Sequence, residues 1–172
     1  MIGRRRPRPD PSPGERAEHL KERIYVTFTS LAVVLALGAH PEDTTAGRAA
    51  TTLAVTVVAT ALAVFLADVV SHVVVHEALP APREAAGMAS VSIGALGVLV
   101  LPLLFLLLAG TGRWQLDTSL HASAVALVTS LVAVGWIAVR RVRLPLRSKV
   151  LVLLGEAGLG VAVVGLELLA HG

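Results

Sequence analysis

Long apolar runs alternate with short polar connections along most of this chain. The runs cover about residues 24–39, 49–75, 85–109, 118–139 and 150–170. Because a helix rises about 1.5 Å per residue, helical runs of about 20 residues cross a hydrocarbon layer about 30 Å thick. The pattern therefore predicts an all-α polytopic membrane protein, a bundle of five transmembrane helices.

Polar and proline-rich segments divide the chain around these runs. Residues 1–14 are basic and rich in proline, so we expect a disordered cytoplasmic tail, which leaves 15–172 as a single transmembrane domain. Residues 15–23 mix both charge signs at helical spacing and predict a short surface helix before the first span. Cleavage of that span as a signal peptide is left open. Pro102 is expected to kink the third span.

The composition agrees with a membrane protein. Of 172 residues, 55% are hydrophobic and 16% are charged, against about 25% charged in soluble domains. The chain has no cysteine, which excludes disulfides, thiolate metal sites and cysteine nucleophiles. No Gly-rich phosphate loop, HExxH motif or GxSxG motif occurs, and we expect no enzyme activity and no organic cofactor.

The distribution of basic residues predicts the orientation. In a five-span chain, one side receives the basic tail, Arg83 and the segment after the fourth span, whereas the other side receives only Arg48 and Arg113. The positive-inside rule then places the N-terminus in the cytoplasm and the C-terminus outside a multi-pass plasma-membrane protein. The predicted partners are anionic lipids rather than nucleic acid, and the lipid-binding residues are Arg140, Arg141, Arg143, Arg147 and Lys149.

Ionisable residues inside the second span are the first candidates for function. Asp68, His72 and His76 recur at intervals of four, which places them on one side of a helix. A carboxylate within a span is costly unless it faces protein, water or a cation, so Asp68 is the leading site residue. Thr60 lies near the same side and is a candidate for lining a pathway.

Other spans carry ionisable residues at similar depths. Glu156 in the fifth span lies in the same half of the membrane as Asp68, and we expect it to be the partner of that carboxylate. Towards the other surface, a second tier is expected to contain Glu167, His121, His40 and His171. Together the two tiers predict a polar path across the bundle.

This arrangement predicts an ion channel or transporter for protons or small cations. Carboxylates and imidazoles exchange protons or coordinate cations near neutral pH. Since one chain of this size leaves little room for a private path, we expect a homo-oligomer. The alternative is a non-transporting accessory or interaction membrane protein.

A third hypothesis is an intramembrane metal-dependent hydrolase. Asp68, His72 and Glu156 could supply a metal site, in which the metal would activate water. The segment DxxSHxxxHE resembles the Ser, Asp and His-x-x-x-His ligands of multi-span hydrolases of the ceramidase and adiponectin-receptor type. Those proteins have seven spans and draw their ligands from separate helices, unlike this segment.

The first two spans carry a second resemblance. The segments ERIYVTFTSLAVVLAL and TxxxTxLAxxLADVVSH are similar to those of small multi-span membrane proteins of high-GC actinobacteria. Those proteins carry no established activity, so the resemblance implies a bacterial plasma membrane and no particular chemistry.

Overall fold

The computed structural model describes residues 13–140 and 145–171, and within these ranges the chain is helical without a strand. For part of the last helix, including Glu156 and Glu167, the backbone is described but the side chains are not. The α-helices are α1 (Pro13–Ala39), α2 (Ala46–His76), α3 (Pro82–Ala95), α4 (Val100–Gly110), α5 (Leu116–Arg140) and α6 (Leu146–His171), with 3-10 helices at Pro41–Asp43 and Leu96–Leu99.

Among the described residues, four stretches of helix are long and apolar enough to cross a membrane. They are Ala17–Ala39, Ala46–His76, Pro82–Gly110 and Leu116–Arg140. The predicted all-α class and the apolar character of these helices are confirmed. The fifth span, which corresponds to α6, and the orientation of the chain stay predictions.

Local chemistry sets the ends of α2 and the start of α3. The Thr45 hydroxyl accepts a hydrogen bond from the Arg48 backbone N–H at 3.3 Å and caps the first turn of α2. Glu77 adopts a left-handed conformation (φ 52°) at the other end and donates its N–H to the Val73 carbonyl. Pro82 then begins α3, where the Glu84 carboxylate accepts the Ala81 N–H at 2.8 Å.

The third apolar run changes helix type before its proline. Leu96–Leu99 is a 3-10 helix between α3 and α4, and Pro102 lies in the first turn of α4. A proline lacks the backbone N–H and its ring crowds the carbonyl four residues earlier, here that of Val98. The 3-10 turn therefore lies one turn ahead of Pro102, and the kink itself stays a prediction.

The core lies between α1, α2, α5 and the third apolar run, which comprises α3, Leu96–Leu99 and α4. α1 packs against α2, α3 and α5. α4 packs against α2 and α5, and α6 packs against α1 and α5. We call the end where α2 stops and α3 starts the His76 end, and the opposite end the Ala39 end. The core residues buried in the interior include Val26, Leu31, Val34, Leu53, Val57, Leu99, Leu106, Leu120 and Leu127.

Candidate functional site

Glu22 continues the buried stripe of α1. It lies one turn before Val26, which is followed at the same spacing by Ser30 and Val34, and all of these residues are buried. Only 2% of Glu22 is exposed. The prediction of a surface helix before the first span is therefore wrong for this residue, because α1 runs unbroken from Pro13 and carries its packed face past the start of the apolar run.

Glu22 contacts polar side chains from two other helices. The Ser92 hydroxyl of α3 donates a hydrogen bond to Glu22 Oε1 at 3.3 Å, and Ser92 is itself buried. The carboxyl group of Asp68 on α2 lies beside that of Glu22. The predicted site residue Asp68 thus belongs to a cluster in which α1, α2 and α3 meet.

Lys21 covers this cluster on its exposed side. The Lys21 ammonium pairs with Glu18 one turn earlier on α1, and its Nζ lies 3.7 Å from Asp68 Oδ1. The Lys21 side chain is 45% exposed, whereas that of Asp68 is 22% exposed. The ammonium therefore bridges the solvent-exposed carboxylate of Glu18 and the largely enclosed carboxylate of Asp68. We call Lys21, Glu22, Asp68 and Ser92 the Glu22 cluster.

The two histidines of α2 form a second polar group one turn further on. His72 Nε2 lies 3.8 Å from Glu84 Oε2 of α3, with 13% of the His72 side chain exposed. The His76 ring stacks on the His72 ring at a centroid distance of 4.2 Å, and His76 Nδ1 lies 3.2 Å from the His72 carbonyl oxygen. His72 is thus enclosed at the α2–α3 contact, while His76 is exposed at the end of the helix.

The spacing along α2 places the Glu22 cluster near one end of the bundle. Asp68 is eight residues before the last residue of α2, about 12 Å at helical rise. At the same rise per residue, Asp68 lies about 30 Å along the helix axis from Arg48, which is in the first turn of α2. The cluster is therefore close to the His76 end.

Buried hydroxyl groups continue through the bundle at other levels. On α1, Thr27 and Ser30 donate to the carbonyls of Arg23 and Val26, at 2.6 and 2.7 Å. On α5, the Ser123 hydroxyl donates to the Ser119 carbonyl at 2.7 Å, and the Ser119 hydroxyl has no hydrogen-bond partner among the described residues. Most of these hydroxyls bond to their own helix, so they add polarity without linking helices.

Two of the remaining predicted pathway residues, Thr60 and His121, lie apart from the Glu22 cluster. The Thr60 hydroxyl bonds to the Thr56 carbonyl of its own helix. His121 is exposed and pairs with Asp117 in the first turn of α5, at the Ala39 end. The expected partnership of Asp68 with Glu156 stays a prediction, because that side chain, like those of Glu167 and His171, lies outside the described part of the chain.

Metal-ligating side chains come together at a different place from the predicted one. Among the residues that the structure describes, the group of three whose ligand atoms lie within 4.8 Å of one another is His40, Glu42 and Asp43, all exposed. It lies in the connection between α1 and α2, where His40 Nδ1 is 3.7 Å from Glu42 Oε1. The predicted metal set of Asp68, His72 and Glu156 stays a prediction.

The predicted lipid-binding residues lie around the connection from α5 to α6. Arg140 and Arg147 are exposed and Lys149 is partly exposed, whereas Arg141 and Arg143 lie outside the described residues. Arg140 ends α5 and Arg147 lies in the first turn of α6. Their positions suit contact with an anionic surface.

Comparison with protein-family models, curated proteins and solved structures finds no match. The Glu22 cluster is consequently the feature of the molecule that bears most directly on its function.

Proposed function

We propose that this protein is a multi-pass membrane protein that transports protons or a small cation, with Glu22 and Asp68 as its ion-exchanging groups. The observation that carries the proposal is a buried glutamate on one helix, held against an aspartate of a second helix and a serine of a third. Replacement of buried charged groups by well-packed apolar groups is often neutral or stabilising, so their retention in the interior supports a functional use.

The contact between the two carboxyl groups supports ion exchange. Two neighbouring carboxylates repel each other when both are ionised, so a proton on one of them is favoured. The pair can hold that proton or give it up to another acceptor. Two carboxylates and a hydroxyl also offer oxygen ligands of the type that hard cations prefer.

A membrane placement follows from the length of α2. If Arg48 marks one surface of a hydrocarbon layer about 30 Å thick, Asp68 marks the other. The Glu22 cluster then lies at the inner boundary of the layer, nearer to water than the middle of a span. This position favours loading from the His76 end, since Lys21 and Asp68 are partly exposed there.

The proposed function also requires a membrane topology and a cellular location for the chain. We propose five spans with α6 as the last, the His76 end in the cytoplasm and the plasma membrane as the location. This orientation is supported by the basic residues at that end, which include Arg83, Arg140, Arg147 and Lys149. It brings them close to anionic lipid headgroups.

The part of the interior that the structure describes is filled with apolar side chains. Between the Glu22 cluster and the Ala39 end the core contains Leu31, Leu53 and Leu127, each at most 1% exposed. Ions would therefore cross only when these side chains move apart, or along a contact between copies of the chain. We propose a homo-oligomer for this reason.

Flux in proteoliposomes tests the proposal. With a pH-sensitive dye inside the vesicles, an imposed potential should drive proton uptake through the wild-type protein, and Asp68→Asn should slow it more than about tenfold. Asp43→Asn is the matched control, because Asp43 is exposed at the Ala39 end. Absence of wild-type flux of protons, sodium and potassium, or equal flux in Asp68→Asn, contradicts the proposal.

A second candidate function is an accessory or interaction protein. It is favoured by the last turns of α2 and the connection after them, where Val70, Val74, Val75 and Leu79 are between 54% and 80% exposed. A photo-crosslinking residue at Val74 tests it in cells. Capture of a discrete protein, combined with absence of flux, supports this candidate, whereas capture of lipid alone argues against it.

A further inference from the structure

The Glu22 cluster already contains a cation that belongs to the chain. Lys21 Nζ lies 3.7 Å from Asp68 Oδ1, and its other partner, Glu18, is on the same helix one turn away. The ammonium thus occupies the exposed side of the Glu22–Asp68 pair, where an ion arriving from the His76 end would approach. No other cationic side chain is in contact with this pair among the described residues.

A tethered ammonium competes unequally with the two kinds of ion that carboxylates bind. A metal cation at Asp68 needs the carboxylate oxygens and must displace the ammonium, which is held nearby by its own helix at a high effective concentration. A proton needs one lone pair and neutralises the carboxylate. Lys21 then retains Glu18 as its partner.

We propose that Lys21 determines the ion specificity of the Glu22–Asp68 pair, by excluding alkali-metal cations and leaving the proton as the ion exchanged. This inference rests on the proposed transport function and specifies its substrate. Among the described residues, the groups that face the pair are Glu18 and Lys21 of α1 and Ser92 of α3, with His72 and Glu84 one turn further along the α2–α3 contact.

Sodium inhibition of proton uptake is the first experiment. The full-length protein is reconstituted with a pH-sensitive dye, and uptake is measured with sodium or with an impermeant organic cation at equal ionic strength. We expect sodium to leave the wild-type rate unchanged and to slow Lys21→Met about fivefold or more. Lys21→Arg retains the charge, and we expect it to behave as the wild type does.

Thermal unfolding in detergent provides a readout that does not need transport. An ion that binds only the folded protein raises the midpoint of unfolding. We expect sodium to raise the midpoint of Lys21→Met and to leave the midpoints of the wild type and Lys21→Arg unchanged. Comparison of the three midpoints without sodium also shows whether Lys21→Met folds normally.

The two experiments separate this inference from the proposed function. Sodium inhibition of the wild type, or equal insensitivity of wild type and Lys21→Met, overturns the role of Lys21 while transport stands. If the wild type moves no ion, the transport proposal fails, and the unfolding midpoints decide the role of Lys21 alone. A sodium-induced rise of the unfolding midpoint that occurs in Lys21→Met alone supports exclusion by Lys21. The same rise in all three proteins, or in none of them, overturns it.

Discussion

Glu22 is the residue on which the functional account depends most. A carboxyl group that is 2% exposed is unfavourable unless its oxygens have partners, and here the Ser92 hydroxyl donates to one oxygen while the Asp68 carboxyl group lies beside Glu22. Each partner comes from a different helix, so the packing of α1, α2 and α3 must be correct before the cluster exists. The cluster therefore couples local chemistry to the tertiary fold.

Removal of the Ser92 hydroxyl should destabilise the protein. Ser92→Ala leaves Glu22 Oε1 without its neutral donor, and we expect the free energy of unfolding to fall by about 1–3 kcal/mol. Unfolding by sodium dodecyl sulfate in mixed micelles, followed by far-ultraviolet circular dichroism, measures it. Ser90→Ala is the control, because the Ser90 hydroxyl is exposed and bonds to its own helix. Equal effects of the two changes would contradict the role of the Ser92–Glu22 bond.

At the scale of the element, α1 shows what the sequence could and could not predict. Its apolar run predicted the span, but the charges around Glu22 predicted a surface segment. A signal was available, since Glu22 lies in register with Val26, Ser30 and Val34 on the packed face. The identity of its partners was not predictable, because Ser92 is seventy residues away and the contact depends on how α3 packs against α1.

The burial of Leu31 on α1 predicts that its truncation lowers the free energy of unfolding much more than truncation of an exposed leucine does. Leu31 is fully buried, whereas Leu62 on α2 is 62% exposed. Leu31→Ala should lower the free energy of unfolding by about 2–5 kcal/mol through the cavity that it leaves. Leu62→Ala should change it by less than about 1 kcal/mol. The same micelle unfolding measures both, and similar losses for the two variants would mean that α1 does not pack as described.

At the scale of the whole molecule, the apolar pattern was sufficient for the all-helical class and for the four long apolar helices. The arrangement of those helices was not predictable from the pattern, because periodicity defines the faces of a helix and leaves its neighbours open. The outcome for Asp68 illustrates this. The sequence identified the residue, but its described partners are Glu22 and Lys21 of α1.

The absence of cysteine allows a direct test of the proposed topology. Leu79→Cys places a single thiol in the connection between α2 and α3, and Thr111→Cys places one after α4, both at exposed positions. In intact bacterial cells, a membrane-impermeant maleimide should label Thr111→Cys and should label Leu79→Cys only after permeabilisation. The opposite labelling would reverse the orientation. A reporter fused after Gly172 should be extracellular for five spans, and a cytoplasmic reporter would indicate an even number.

The most direct test of the account compares two glutamates that differ in burial. Glu22→Gln and Glu77→Gln make the same chemical change, at a buried position in the Glu22 cluster and at an exposed position after α2. The measurement is the initial rate of potential-driven proton uptake into proteoliposomes with equal amounts of folded protein. We expect Glu22→Gln to reduce this rate more than about tenfold and Glu77→Gln to leave it within about twofold of the wild type. Equal rates for the two variants would contradict the assignment of Glu22 as an ion-exchanging group.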